Sequence, residues 1–92
     1  MAQDQIKKAV ALIYDREQDN APRIIASGRG ELAEQILAVA HKADIPVQQN
    51  KLLVEALLKC EVNTAIPPEL YQAVAEVLAM VYKLEQHNRS SF

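Results

Sequence analysis

The sequence predicts an α/β domain in which a small three-stranded mixed sheet, an N-terminal hairpin plus a short parallel strand, packs with three helices. Three observations carry that expectation. Two short apolar runs of strand-forming residues flank a polar cluster near the N-terminus. The apolar period changes from strand-like to helical after Gly30. Pro46, Pro67 and Pro68 then divide the remainder into separate segments.

From Ala9 to Tyr14 the run is short and ends in β-branched and aromatic types, so it reads as a strand. The polar stretch from Asp15 to Asn20 closes it as a turn. A second run, Ile24-Ile25-Ala26, opens after Pro22 and ends at Ser27-Gly28-Arg29-Gly30. Strands this close in sequence pair most economically as a hairpin, whose loop holds Asp15, Asp19, Asn20 and Pro22.

Beyond Gly30, Leu32, Ile36, Val39 and Ala40 recur at helical spacing with Glu31, Glu34 and Lys42 opposite, which predicts a helix from about Glu31 to Lys42. Asp44-Ile45-Pro46 breaks it, because a residue before proline is pushed out of the helical region. Ile45-Pro46-Val47 is then expected as a brief third strand, joined to the second by a right-handed parallel crossover. Asn50 suits the N-cap of a second helix carrying Leu52, Leu53, Ala56 and Leu57 and ending near Cys60. A third helix starts at Pro67-Pro68, where proline is tolerated in a first turn, with Leu70, Val74, Val77, Leu78, Val81 and Leu84 on one stripe.

The chain has 92 residues, which places it as one domain over 1–92 with a core from about 8 to 85 and a polar tail over 86–92 expected to be flexible. Half of its residues are hydrophobic, yet it has one Phe and no Trp, so the core is built from Ala, Val, Leu and Ile. Ten basic and twelve acidic residues give a formal charge of -2, with the basic ones scattered, which disfavours binding nucleic acid through its phosphates. The single cysteine, Cys60, has no thiol partner, as suits a reducing cytosol. No apolar run approaches the roughly 20 residues that span a bilayer, and Met1 to Lys8 lacks a signal peptide's apolar segment. The expected location is therefore cytoplasmic, with no direct membrane insertion.

Catalytic and ligand chemistry is sparse. Gly28-Arg29-Gly30-Glu31-Leu32-Ala33 fits a G-x-G-x-x-A turn between strand and helix, whose backbone N–H groups would hold a pyrophosphate or another anion. A hairpin arm before it and a chain too short for a doubly wound sheet argue for a sharp turn into the helix instead. The turn nevertheless defines an alternative function, a small anion- or nucleotide-binding regulatory protein. His41 and His87 lie far apart, and no His, Cys, Asp or Glu spacing suits a metal site. Cys60 reads as a small apolar residue near a helix end, while Ser27, Ser90 and Ser91 lack a nucleophile's context. No catalytic residue, cofactor or metal ligand is assigned.

Taken in order, Ala9-Val10-Ala11-Leu12-Ile13-Tyr14-Asp15, Ala21-Pro22-Arg23-Ile24-Ile25-Ala26-Ser27-Gly28, Ile45-Pro46-Val47, Ala56-Leu57, Ile66-Pro67 and the block from Leu70 to Tyr82 resemble the cytoplasmic C-terminal domain of the FlhB/YscU family of flagellar and type III export switch proteins. The resemblance covers roughly residues 8 to 85. In that family a membrane part precedes the domain, and an Asn-Pro-Thr-His site cleaves itself by attack of the Asn side chain on its own carbonyl. Here Asp4-Gln5-Ile6-Lys7 stand where that site should fall, so no self-cleavage is expected. Asn50-Lys51-Leu52 replaces a proline pair common in the family, and the link from Leu58 to Ile66 is a residue shorter.

The resemblance implies a freestanding, non-catalytic interaction module that acts in flagellar or type III protein export and its substrate-specificity switching. In the family, the strand that begins near Ala9 has a neighbour from the segment before the cleavage site. Without it, the strand of Ala9, Val10, Ala11, Leu12, Ile13 and Tyr14 is expected to offer an open edge to a protein partner. That partner would be an export-apparatus component, a truncated switch protein, an export substrate or a second copy of this chain.

Overall fold

The computed structural model describes residues 6–15 and 17–89, with 82–89 described by their backbone alone. Strand β1 spans Lys8–Ile13 and strand β2 spans Arg23–Arg29. Helix α1 spans Glu31–Lys42, α2 Lys51–Leu58 and α3 Tyr71–Arg89, with a 3₁₀ turn over Pro68–Leu70 leading into α3. The hairpin and all three helices of the sequence reading are present.

The strands pair antiparallel, Lys8 opposite Arg29 and Ile13 opposite Arg23, with a register shift after Ala11. Ala11 faces Ala26 while Leu12 faces Ile24, so Ile25 is the additional residue of a β-bulge. Strand β2 runs on through Ser27, Gly28 and Arg29 beyond the predicted run, because those residues find partners in Val10, Ala9 and Lys8. Asp15 shapes the loop: its carbonyl accepts from the N–H of Gln18 and Asp19, and its carboxylate accepts from the N–H of Glu17 at 2.9 Å.

Side-chain alternation gives the sheet two unlike faces. One carries Ala9, Ala11, Ala26 and Gly28 and receives α1, whose Ala33 is fully buried. A Cβ at Gly28 would lie 2.4 Å from Leu32 Cγ, so only glycine lets the helix sit this close. The opposite face carries Val10, Leu12 and Ile24 against Leu53 and Leu57 of α2, Ile66, and Val74 of α3. Ile24, Ile66 and Val74 are the largest fully buried side chains, which makes this the main core.

The third strand does not form, and among the described residues the sheet has two strands. The end of α1 explains why. Asp44 adopts a left-handed φ of 58°, and the Ile45 N–H donates back to the Ala40 carbonyl at 2.8 Å while the Asp44 N–H reaches the His41 carbonyl at 3.2 Å. This Schellman closure uses the Ile45 donor, and Pro46 has none, so two successive residues have no N–H for a ladder. Ile45 and Val47 stay exposed.

Two predicted helix stripes are rotated. In α1, Leu32 and Val39 are exposed, and Ala33, Ile36, Leu37 and Ala40 face inward, because the small-residue sheet face draws in the slim side of the helix. In α2, Leu52 is 84% exposed while Leu53 and Leu57 are buried. Asn50 caps α2 as predicted, its side chain accepting the Leu53 N–H at 3.1 Å. The α3 stripe holds from Leu70 through Val74, Val77 and Leu78 to Val81. Leu84's side chain and residues 90–92 of the expected tail lie outside the described residues, and Gln86–Arg89 continue the α3 backbone.

Candidate functional site

The backbone of β1 has a definite phase. The Gly30 N–H donates to the Lys7 carbonyl at 2.8 Å, which makes Lys7 with Gly30, Ala9 with Gly28 and Ala11 with Ala26 the hydrogen-bonded pairs of the ladder. Lys8 and Val10 therefore aim their N–H and C=O away from β2. Beyond the bulge, Ile24 turns its own backbone groups outward, so its opposite number Leu12 does likewise. Among the described residues these outward groups of Lys8, Val10 and Leu12 have no backbone partner.

Lysines guard this border. Lys7 is exposed, and Lys8 Nζ forms an ion pair with the Glu55 carboxylate on α2. The hydrogen bond from Lys8 holds the Glu55 carboxyl below the usual carboxylate range, helped by the positive charges of Lys8, Arg29 and Lys51 and opposed by partial desolvation. Of the predicted edge residues, Ala9 is buried, Val10, Ala11 and Leu12 are half-buried, and Ile13 and Tyr14 are exposed. Ala9 to Ile13 lie within β1, while Tyr14 follows it.

Tyr14 belongs to a second feature that sequence reasoning missed. At the loop end of the hairpin it joins Asn20, Ala21, Pro22, Tyr71, Ala75 and Leu78 around a groove of about 180 Å³. Tyr71, Ala75 and Leu78 stand at i, i+4 and i+7 of one helix face, so the signal was an α3 stripe wider than the core consumes.

The glycine turn is occupied by the fold itself. The Gly30 N–H is committed to Lys7, Gly28 lies within β2 under Leu32, and Glu31 and Glu34 put negative charge in the first turn of α1. An anion would meet like charge there. His41 is exposed at the end of α1, and Cys60 is half-buried with its Sγ 3.8 Å from the Ala56 carbonyl. Among the described residues no group of three or more His, Cys, Asp or Glu side chains converges on a metal position. Ser27 stands in β2 opposite Val10. Asp4, Gln5, Ser90 and Ser91 lie outside the described residues, as does the side chain of His87.

A sequence profile of the FlhB HrpN YscU SpaS family matches residues 6–81. The chain belongs to this family. It is 45% identical over 84 residues to the uncharacterized protein YlqH of Bacillus subtilis (strain 168), a match that covers 91% of this chain and 90% of that one. Against the flagellar biosynthetic protein FlhB of the same organism the identity is 40% over 79 residues, 85% of this chain but only 22% of FlhB. The chain thus spans about a fifth of that protein's length.

Solved structures of the family place the match within the protein. The cytoplasmic domain of FlhB from Shewanella putrefaciens superposes with a TM-score of 0.85 at 35% identity, covering 89% of this chain and 64% of that one. The PscU C-terminal domain does so with a TM-score of 0.77 at 33% identity, covering 80% of this chain and 95% of that domain. Flagellar biosynthesis and type III protein export are the processes this family serves. The dipeptide Asn-Pro occurs nowhere in the 92 residues.

Proposed function

We propose that this chain is a non-catalytic docking module of flagellar or type III protein export, cytoplasmic and peripheral at the export apparatus, that takes part in substrate-specificity switching. Its partner is a protein: an export-apparatus component, a truncated switch protein or an export substrate. The observation that carries the reading is the open edge of β1, whose Lys8, Val10 and Leu12 backbone groups point outward on a domain of the FlhB HrpN YscU SpaS family. Main-chain groups left free on a sheet edge are a general means of capturing an extended segment. Residues Ala9, Val10, Ala11, Leu12, Ile13 and Tyr14 form that border, and the groove at Tyr14 continues it toward α3.

The absence of catalysis is supported by the absence of Asn-Pro from the sequence. Intact mass after prolonged incubation is expected to show one unbroken chain, and fragments would refute the non-catalytic part of the reading. Affinity capture from cells is expected to recover export-apparatus proteins with the native chain and to lose them with Val10→Pro or Leu12→Pro, while the helical circular dichroism persists. Capture that recovers no such protein overturns the docking role. Capture that ignores both proline variants overturns the edge as its site.

A further inference from the structure

We infer that the outer face of α2, with the end of the hairpin beside it, docks on an anionic lipid surface, which the domain meets at the headgroups without spanning it. The inference concerns side chains on one face of the molecule and is independent of any protein captured at the β1 edge.

Basic residues that lie apart in the sequence meet here in the fold. Lys8 and Arg29 stand directly opposite each other across the hairpin, so they share the sheet face on which Val10 and Leu12 meet α2. Like charges placed in this way repel unless a carboxylate answers them. Glu55 answers Lys8 through their ion pair. It is the only carboxylate in α2, with Lys51 one turn before it and Lys59 one turn after it at the helix end. The charges of Lys8, Arg29 and Lys51 all help to hold the Glu55 carboxyl low, as their placement around it requires. Among the described residues Arg29, Lys51 and Lys59 have no carboxylate within ion-pair distance, so this face keeps a surplus of positive charge. The first turn of α2 adds no acidic residue to offset it.

An apolar side chain projects from the same face. At the rotation of an α-helix, Lys51, Leu52, Glu55 and Lys59 fall within an arc of about 100° on the side away from the buried Leu53 and Leu57. Leu52 is 84% exposed, more than any other large apolar residue among those described. Charge alone would suit any polyanion, and Leu52 decides between them. A phosphate group or a nucleic-acid backbone offers nothing to a leucine, and none of these residues is an aromatic on which bases stack. A bilayer of acidic lipid presents anionic headgroups to the cations and, just beneath them, hydrocarbon that a projecting leucine enters. Its flat surface needs no complementary pocket.

The test uses the full chain and sedimentation with vesicles made of equal parts phosphatidylcholine and phosphatidylglycerol, set against vesicles of phosphatidylcholine alone. Binding is expected to the mixed vesicles only, and concentrated salt should release the chain. Each positive charge removed should weaken binding about fivefold, so the Lys51→Ala, Lys59→Ala double variant should lose about twentyfold. Leu52→Gln should lose at least about threefold. Lys42→Ala takes the same charge from the end of α1, on the opposite face of the sheet, and should change binding less than about twofold. Circular dichroism checks that each variant keeps its helices. The proposal falls if the chain binds both vesicle types alike or neither. It falls if Leu52→Gln leaves vesicle binding unchanged, the outcome expected when the leucine serves a protein partner instead. It falls too if Lys42→Ala weakens binding as much as Lys51→Ala, or if glycerol phosphate or a single-stranded oligonucleotide binds as tightly as the mixed vesicles. The docking role stands or falls separately, on recovery of export-apparatus proteins from cells.

Discussion

At the loop end of the hairpin sheet the two borders are made from the same kind of backbone and are treated in opposite ways. On the outer side of β2, Ile24 gives its N–H to the Thr64 carbonyl at 2.9 Å and accepts the Asn63 N–H at 2.6 Å, while the Ile66 N–H reaches the Pro22 carbonyl at 2.9 Å. A single bridge between Arg23 and Ala65 completes that closure. On the outer side of β1, Lys8, Val10 and Leu12 have no such partners among the described residues, and charge is the only guard. The difference teaches that the fold ties down the border where it carries its core residue Ile24 and leaves the β1 border without backbone partners among the described residues.

Matched proline substitutions at the two borders give the largest contrast. Ile24→Pro removes a donor that the fold uses, along with a fully buried side chain, and is expected to cost about 3 kcal/mol or more in urea unfolding. Val10→Pro removes a donor that points outward, a position that strands tolerate far better, so helical circular dichroism should survive. Equal losses at the two positions would break the comparison.

A smaller effect sharpens how the sheet's two faces differ. Gly28→Ala forces a methyl group onto Leu32 and is expected to destabilise by about 1–2 kcal/mol. Adding Leu32→Ala, at a half-exposed side chain, should recover most of that loss in a thermal melt. Failure of the second change to rescue the first would show that the helix backbone, and not one side chain, sets the approach.

The smallest effect concerns the lysine guard. The folded-state pKa of Glu55 is lowered, chiefly by the hydrogen bond from Lys8, so its contribution is fully present above the unfolded-state value and is lost as pH falls through the folded-state value. Glu55→Gln should therefore flatten the acid limb of the stability profile slightly and leave neutral pH nearly unchanged. Because the pair is solvent-accessible, added salt should shrink the difference further.

Much of this was legible in residue order. The hairpin runs, the helix from Glu31 to Lys42 and the Asn50 cap follow from local patterns that do not depend on what packs against them. Three features were not. Ile45-Pro46-Val47 has strand-like composition, yet a strand needs free donors, and the helix closure at Asp44 had already taken the one that Pro46 could not replace. The α1 stripe through Leu32 and Val39 obeyed the helical period, but an adjacent face of Ala and Gly rewarded the narrow side of the helix. The groove at Tyr14 joins a loop to a helix more than fifty positions away, a proximity that no local pattern encodes.

The sequence by itself determined where the hairpin strands and the first two helices begin, which residue types build the core and, through the ordered segments, the family. Only the tertiary structure decided that the sheet's border is closed at Ile24, because hydrogen-bond satisfaction depends on where residues 63–66 come to lie, and a chain written in one dimension does not fix that distance.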